Sequence, residues 1–449
     1  MRAGLSSALC RSGAPRSLRS RPVGARSGKG RRTGAWAAIA AALLALAAIP
    51  AALAAQPPGG AQPQLTKVSN IGAWCWFADP RAVYAFGRTY IGWVDGQGYV
   101  VVATLRDGKV RRTRIAHPGP MGFRDDHDDP ALLVEPDGRI TAFYSHHNGP
   151  FMLYRTTKNP HDVKSWGAEQ AVPTHRGQNT YANPVRLSSE SKTYLFFRGD
   201  VQPTFATRSS KGKWSTAKTL VSEPGENPYM KVASNDRDKI AFAFTNGHPR
   251  GPVTNIYYAE YRKGTISHAD GRAIAKLKSA PFRPADSDEV YDAQAHAGRR
   301  AWIHDVALTK DGTPVLVYAT FSDDGYSHRY EYARWTGKKW AVHAIAEAGG
   351  PMTTDPIERY YSGGVVLDHR DPRIVYASVQ QGSEHEILRF VTRDGGLSWK
   401  RKAITSSSPT DNVRPFVPRN LPKGNNELLW MRGFYDRYRT FQTSIVAAP

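Results

Sequence analysis

From about residue 68 onward the chain alternates short apolar runs with polar turns, and no long stretch carries the 3.6-residue period of a helix. One unit recurs: an apolar strand, a turn built on Asp-Gly or a polar equivalent, and a second apolar strand. It is clearest in Ala131-Leu-Leu-Val-Glu-Pro-Asp-Gly-Arg-Ile-Thr-Ala-Phe-Tyr144 and Val306-Ala-Leu-Thr-Lys-Asp-Gly-Thr-Pro-Val-Leu-Val-Tyr318. Looser copies begin near Arg81, Pro184, Lys231, Gly364 and Val413, which makes seven. Spread over residues 56–449, seven copies give a period of roughly 56 residues, within reach of propeller blades. Many copies close on a tryptophan before an apolar strand (Trp166, Trp214, Trp340, Trp399). The pattern predicts an all-β chain over 68–449 folded as a seven-bladed β-propeller, with a central channel and a face of loops. A pair of β-sandwiches accounts less well for seven spaced turns. Thr392-Arg-Asp-Gly-Gly-Leu-Ser-Trp399 matches the Asp-box turn, expected to be a structural corner between outer strands.

The first 55 residues break this pattern. Nine basic side chains and no acid lie before residue 35, followed by the Ala/Leu-rich run 35–53 and Ala52-Leu-Ala-Ala55. That order predicts a signal peptide over 1–55, with Arg31-Arg32 hinting at twin-arginine export, a linker over 56–67 and a secreted protein. Removing those nine charges from the formal +22 leaves +13 on residues 56–449. A basic exported protein meets polyanions: acidic polysaccharide, cell-wall polymer and nucleic acid all qualify, and charge alone does not choose between them; the site residues below make an acidic polysaccharide the expected partner. The basic residues are scattered rather than interleaved with aromatics in one stretch, so nucleic acid is not expected as a partner. With the leader removed, neither is a membrane, and the expected form is a monomer. Two cysteines rule out a disulfide framework, and Cys75 alone remains after the leader.

Polar clusters fall where strands should end. They are Phe123-Arg-Asp-Asp-His-Asp-Asp-Pro130, Tyr144-Ser-His-His-Asn148, Thr180-Tyr-Ala-Asn-Pro184 with Phe196-Phe-Arg-Gly-Asp200, and Phe244-Thr-Asn-Gly-His-Pro-Arg250. His127 precedes one strand and His147 follows its returning partner, so a hairpin sets both at one rim. Tyr181 and Arg198 bracket the next hairpin in the same manner. His146 and His147 face opposite ways in a strand, so only one reaches a shared pocket. No isolated pair of carboxylates suggests an ordinary glycosidase, and no Gly-x-Ser-x-Gly, phosphate loop or His-Glu-x-x-His is present. Tyr, His and Arg suit β-elimination on a uronic acid. Arg neutralises the carboxylate so that the C5 proton becomes acidic, a His or Tyr removes that proton, and a second group protonates the departing O4. The acids around His127 are expected to orient the loop or the imidazole.

Taken in order, several segments resemble the BNR-repeat-containing propeller family: Gly72-Ala-Trp-Cys-Trp-Phe-Ala-Asp-Pro-Arg-Ala82, Asp126-His-Asp-Asp-Pro-Ala131, Tyr144-Ser-His-His-Asn148, Tyr181-Ala-Asn-Pro-Val185, Tyr194-Leu-Phe-Phe-Arg-Gly199, Gly247-His-Pro-Arg250, Arg359-Tyr-Tyr-Ser-Gly-Gly364 and Val413-Arg-Pro415. Its characterised members resemble seven-bladed polysaccharide lyases of the ulvan-lyase and rhamnosyl-glucuronate-lyase type. The resemblance implies catalysis by His127, His147, Tyr181 and Arg198, and substrate contacts from Arg250, His248, Tyr229 and Arg359. His127 or His147 would be the base, Tyr181 the proton donor or a shared acid/base, and Arg198 with Arg250 the carboxylate neutralisers. Some ulvan lyases of this kind hold a structural zinc partly through Cys; with Cys75 alone, no required metal or other cofactor is expected. A sialidase-like exo-glycosidase and a non-catalytic carbohydrate-binding propeller are the competing readings.

Overall fold

The computed structural model describes residues 64–174 and 177–449. The expected export segment and linker residues 56–63 lie outside the described residues. Seven antiparallel sheets follow one another along the chain. Their innermost strands are Ala82–Ala85, Ala131–Val134, Thr180–Leu187, Met230–Ser234, Arg300–Leu308, Val365–Leu367 and Asn412–Phe416. These starts match the seven repeated turns, and the fold is the seven-bladed β-propeller. Each blade adds strands outward in sequence order; the fourth also carries an inserted hairpin, Thr265–Ser267 with Ala273–Lys276. The seventh departs from this order. Its outermost strand is Thr66–Lys67, which pairs with Val446 and Ala447, so the end of the expected linker closes the ring.

Apolar positions on both faces of each sheet pack against neighbouring blades, which explains why many strands are buried along their whole length. The Asp box sits where expected, between Glu384–Val391 and Lys400–Ala403 of the sixth blade. Asp394 accepts from the Ser398 backbone N–H at 3.0 Å, and Trp399 donates its indole N–H to the Ala344 carbonyl of the blade before.

The centre of the ring is filled, against the expectation of a channel. The innermost edge of blade one is interrupted: Gly72–Ala73 and Ala82–Ala85 both pair with Arg88–Asp95, and the residues between them leave the sheet. Trp74, Cys75, Trp76 and Phe77 are buried there. Trp76 packs edge-on to Trp302 at 4.9 Å and stacks on His304, while Phe77 meets Tyr181 and Tyr229 at 5.3 and 4.8 Å. Trp74 donates to the Arg414 carbonyl, the Cys75 N–H to the Asp126 carbonyl, and Asn183 to the Phe77 carbonyl. Lys231 is buried against Asp79 and the Trp76 carbonyl. One eight-residue segment therefore ties the blades together along the axis. Each of its large rings contributes about 1.5–3 kcal/mol of burial. The cluster is core, and it forms the floor of the site above it.

Candidate active site

In each blade the innermost strand starts, and its hairpin partner ends, on one face of the ring, here the upper face. The loop before blade two ends in a single 3-10 turn, Asp126–Asp128, whose N-cap Asp125 accepts from the His127 backbone N–H. The same carboxylate takes the His127 Nδ1 at 2.8 Å through one oxygen and the His147 Nδ1 at 3.1 Å through the other. The two imidazoles stack 3.9 Å apart and 4° from parallel. Hairpin geometry brought them to one rim, and Asp125 locks them face to face. His146 turns to Asp128 at 3.3 Å instead; both histidines lie in the turn past the strand Ile140–Tyr144, not within it as expected from the sequence.

Tyr181 and Arg198 come from blade three, where Thr180 pairs directly with Arg198. A register shift between Thr180 and Asn183, with Tyr181 at φ 64°, swings the phenol out of the sheet toward the axis. Its ring lies 5.4 Å from His127 and under the Arg198 guanidinium at 4.5 Å. Arg198 is buried and donates to Asn148 Oδ1 at 2.6 Å and to the Tyr229 hydroxyl at 3.2 Å. Among the described residues it has no carboxylate partner. Tyr229 thus belongs to the group, and His248 lies 5.4 Å beyond it against Trp302.

Arg250 and Arg359 stand differently from expectation. Arg250 is ion-paired to Glu358, which also faces His248 at 3.7 Å, and its side chain is 46% exposed at the rim. Arg359 turns outward, donating to the Asp324 carbonyl, and touches none of the other candidates. Several neighbours were not singled out from the sequence. Asp126 forms a fully buried pair with Arg414 at 2.6 Å and accepts from the Tyr435 hydroxyl. Arg414 repeats the device of Tyr181, a φ of 51° within a register shift on an innermost strand. Tyr438 stands edge-on to both imidazoles, and Arg439 reaches Asp125 at 3.2 Å. Their signal was the hairpin rule that found Arg198, applied to the strand Leu428–Arg437 of the last blade.

Electrostatics separates the two histidines. Burial opposes a charge on His127, but Asp125 and Asp126, both at its Nδ1, push it up to about 9. Burial and the neighbouring His127 charge push His147 down to about 4, against the pull of Asp125. Near neutral pH the stack is therefore one imidazolium and one neutral ring. With its Nδ1–H donated to Asp125, His147 keeps a free lone pair on Nε2. Burial, with Tyr229 alongside, drives the Tyr181 phenol well above its usual value, so it stays protonated. Burial and Arg250 hold His248 neutral.

Among the described residues, metal-ligating atoms gather in two sets, Asp125–His127–His147 and Cys75–Asp126–His127, each within 4.8 Å. In the first, the carboxylate already binds both Nδ1 atoms. In the second, Arg414 and Tyr435 hold Asp126, and burial keeps the Cys75 thiol protonated.

The sequence profile of the BNR repeat-containing family matches residues 88–348. No curated protein matches the chain by sequence. Among solved structures, a PL25 ulvan lyase bound to -[GlcA(1-4)Rha3S]- superposes with a TM-score of 0.65 at 15% identity, covering 86% of this chain and 94% of that one. The polysaccharide lyase Uly1 superposes at 0.54 and 13% identity, covering 86% and 99%. At these identities what is shared is the fold.

Proposed function

The chain belongs to the BNR repeat-containing family, and from that premise we propose that it is an exported polysaccharide lyase, cleaving 4-O-linked glucuronate next to rhamnose by β-elimination. The observation that carries this reading is the pairing of a buried, carboxylate-free Arg198 with a histidine stack split into one neutral and one charged ring. A buried cation without a counter-charge is costly, and a substrate carboxylate would supply the missing partner. Arg198, helped by the His127 imidazolium, would neutralise the uronate and acidify the C5–H. Neutral His147 Nε2 would take that proton, the electron pair would form the 4,5-double bond, and the C4–O4 bond would break. The protonated Tyr181 would return a proton to the leaving oxygen. His127, held charged to about 9, and Tyr181, held protonated by burial, are unsuited to the base role that the sequence left open among these two and His147. Tyr181 faces Arg198 and His127 and touches no Glu among the described residues, which speaks against a Glu-activated tyrosine nucleophile of sialidase type. The glucuronate–rhamnose ligand of the ulvan lyase supports the choice of linkage.

Incubation with ulvan, gum arabic and arabinogalactan, following the ultraviolet absorbance of unsaturated uronate, tests the reading. Signal on at least one polymer, lost in His147→Ala, is expected. Folded protein that yields no unsaturated product from any uronate polymer overturns it.

A further inference from the structure

The lower face of the ring, where innermost strands end, carries a groove of about 1030 Å3 between the turns of blades five, six and seven. None of the residues of the histidine site lines it. Its walls hold seven basic and four acidic side chains, but the charges are not evenly matched. Asp368 and Asp371 are paired with Arg370 and Arg373 at 2.6 and 2.7 Å. Asp394 is committed to the Asp-box hydrogen bonds, and Asp311 to Thr309 and Thr313. Lys310, Arg334, Arg389, Arg393 and Lys423 form no ion pair among the described residues. Lys310, Arg393 and Lys423 are exposed, and Arg389 lies in register between Tyr376 and Lys402. The row of cations therefore continues onto the exposed outer strand Lys400–Ala403.

We propose that this groove is a second binding site, for an acidic polysaccharide carrying carboxylate or sulfate groups, on the face opposite the histidine pair. Unneutralised cations within a concave, partly low-dielectric wall focus potential on a polyanion, and arginine forks match carboxylate and sulfate oxygens. The lining offers no exposed aromatic ring for stacking bases, because Tyr332 and Tyr376 are buried. That favours an anionic glycan over a single-stranded nucleic acid. A polymer held here raises the local concentration of its other segments near the upper face. The proposal is independent of whether the upper face performs elimination.

Affinity electrophoresis of the full chain through gels containing ulvan tests it, with dextran as the uncharged control. The triple variant Lys310→Gln/Arg393→Gln/Lys423→Gln, at exposed positions, is expected to bind ulvan at least tenfold more weakly, and Lys423→Glu alone severalfold more weakly. Both should keep the parent melting temperature. Equal retention of the triple variant and parent overturns the proposal. Tighter binding of the parent to double-stranded DNA or to phosphatidylserine vesicles than to ulvan, at the same salt, assigns the groove to another partner and also overturns it. Retention on ulvan with no unsaturated product from any uronate polymer would refute the lyase reading while leaving this site standing.

Discussion

At the scale of single residues, the site depends on how Asp125 and Asp126 hold the charge on one of two stacked rings. The base form of His147 exists above about pH 4, and the cation at His127 persists to about 9. The pH profile of kcat/KM on a uronate polymer should therefore rise through the lower value and fall through the upper one, with a plateau between. Stability follows opposite signs for the two rings. His147 binds its proton more weakly folded than unfolded, so stability is lost as pH falls from about 6.5 through 4. His127 binds more tightly folded, and its contribution is lost as pH rises through about 9. Asp125→Asn keeps the shape but removes the charge shared by both Nδ1 atoms. It should lower kcat/KM by about 100-fold or more, the scale of a general acid–base contribution. It should also move the alkaline limb of the profile to lower pH, which a purely structural role of Asp125 would not do.

At the scale of elements, the segment between Gly72–Ala73 and Ala82–Ala85 does two jobs. It fills the axis and sets the floor against which Tyr181 and Tyr229 lean. Phe77→Ala should cost about 3–5 kcal/mol, as for other buried aromatic truncations, and calorimetry would measure it. Because Phe77 touches both tyrosines, kcat should fall as well, even though the residue meets no substrate. The β-bulges at Tyr181 and Arg414 show why strands can carry such a site: one shifted register turns a side chain from the sheet face to the axis. The Asp box, by contrast, ties blade six to blade five and has no contact with the histidines.

At the scale of the whole molecule, two residues from near the start of the described chain close the ring on its last strand. A chain beginning at residue 70 loses the Thr66–Lys67 pairing and the fully buried Val68. It should melt at lower temperature and aggregate with rising concentration, because the strand Thr440–Ala448 becomes an open edge; light scattering during a thermal scan would record both. The sequence alone determined what is local. Period-two runs and Asp-Gly turns marked seven blades, and hairpin logic set His127 beside His147 and Tyr181 beside Arg198, since a hairpin is closed by near neighbours in the chain. It left open which of His127, His147 and Tyr181 is the base, expected a channel where the axis is filled, and did not reach the Arg250–Glu358 pair or the places of Arg414, Tyr435 and Tyr438 beside the histidines. Those depend on burial and on charges brought together across the ring by residues up to about 300 apart in sequence, such as Asp126 and Tyr435. Only the closed tertiary structure sets their distances, and with them the protonation states on which the chemistry rests.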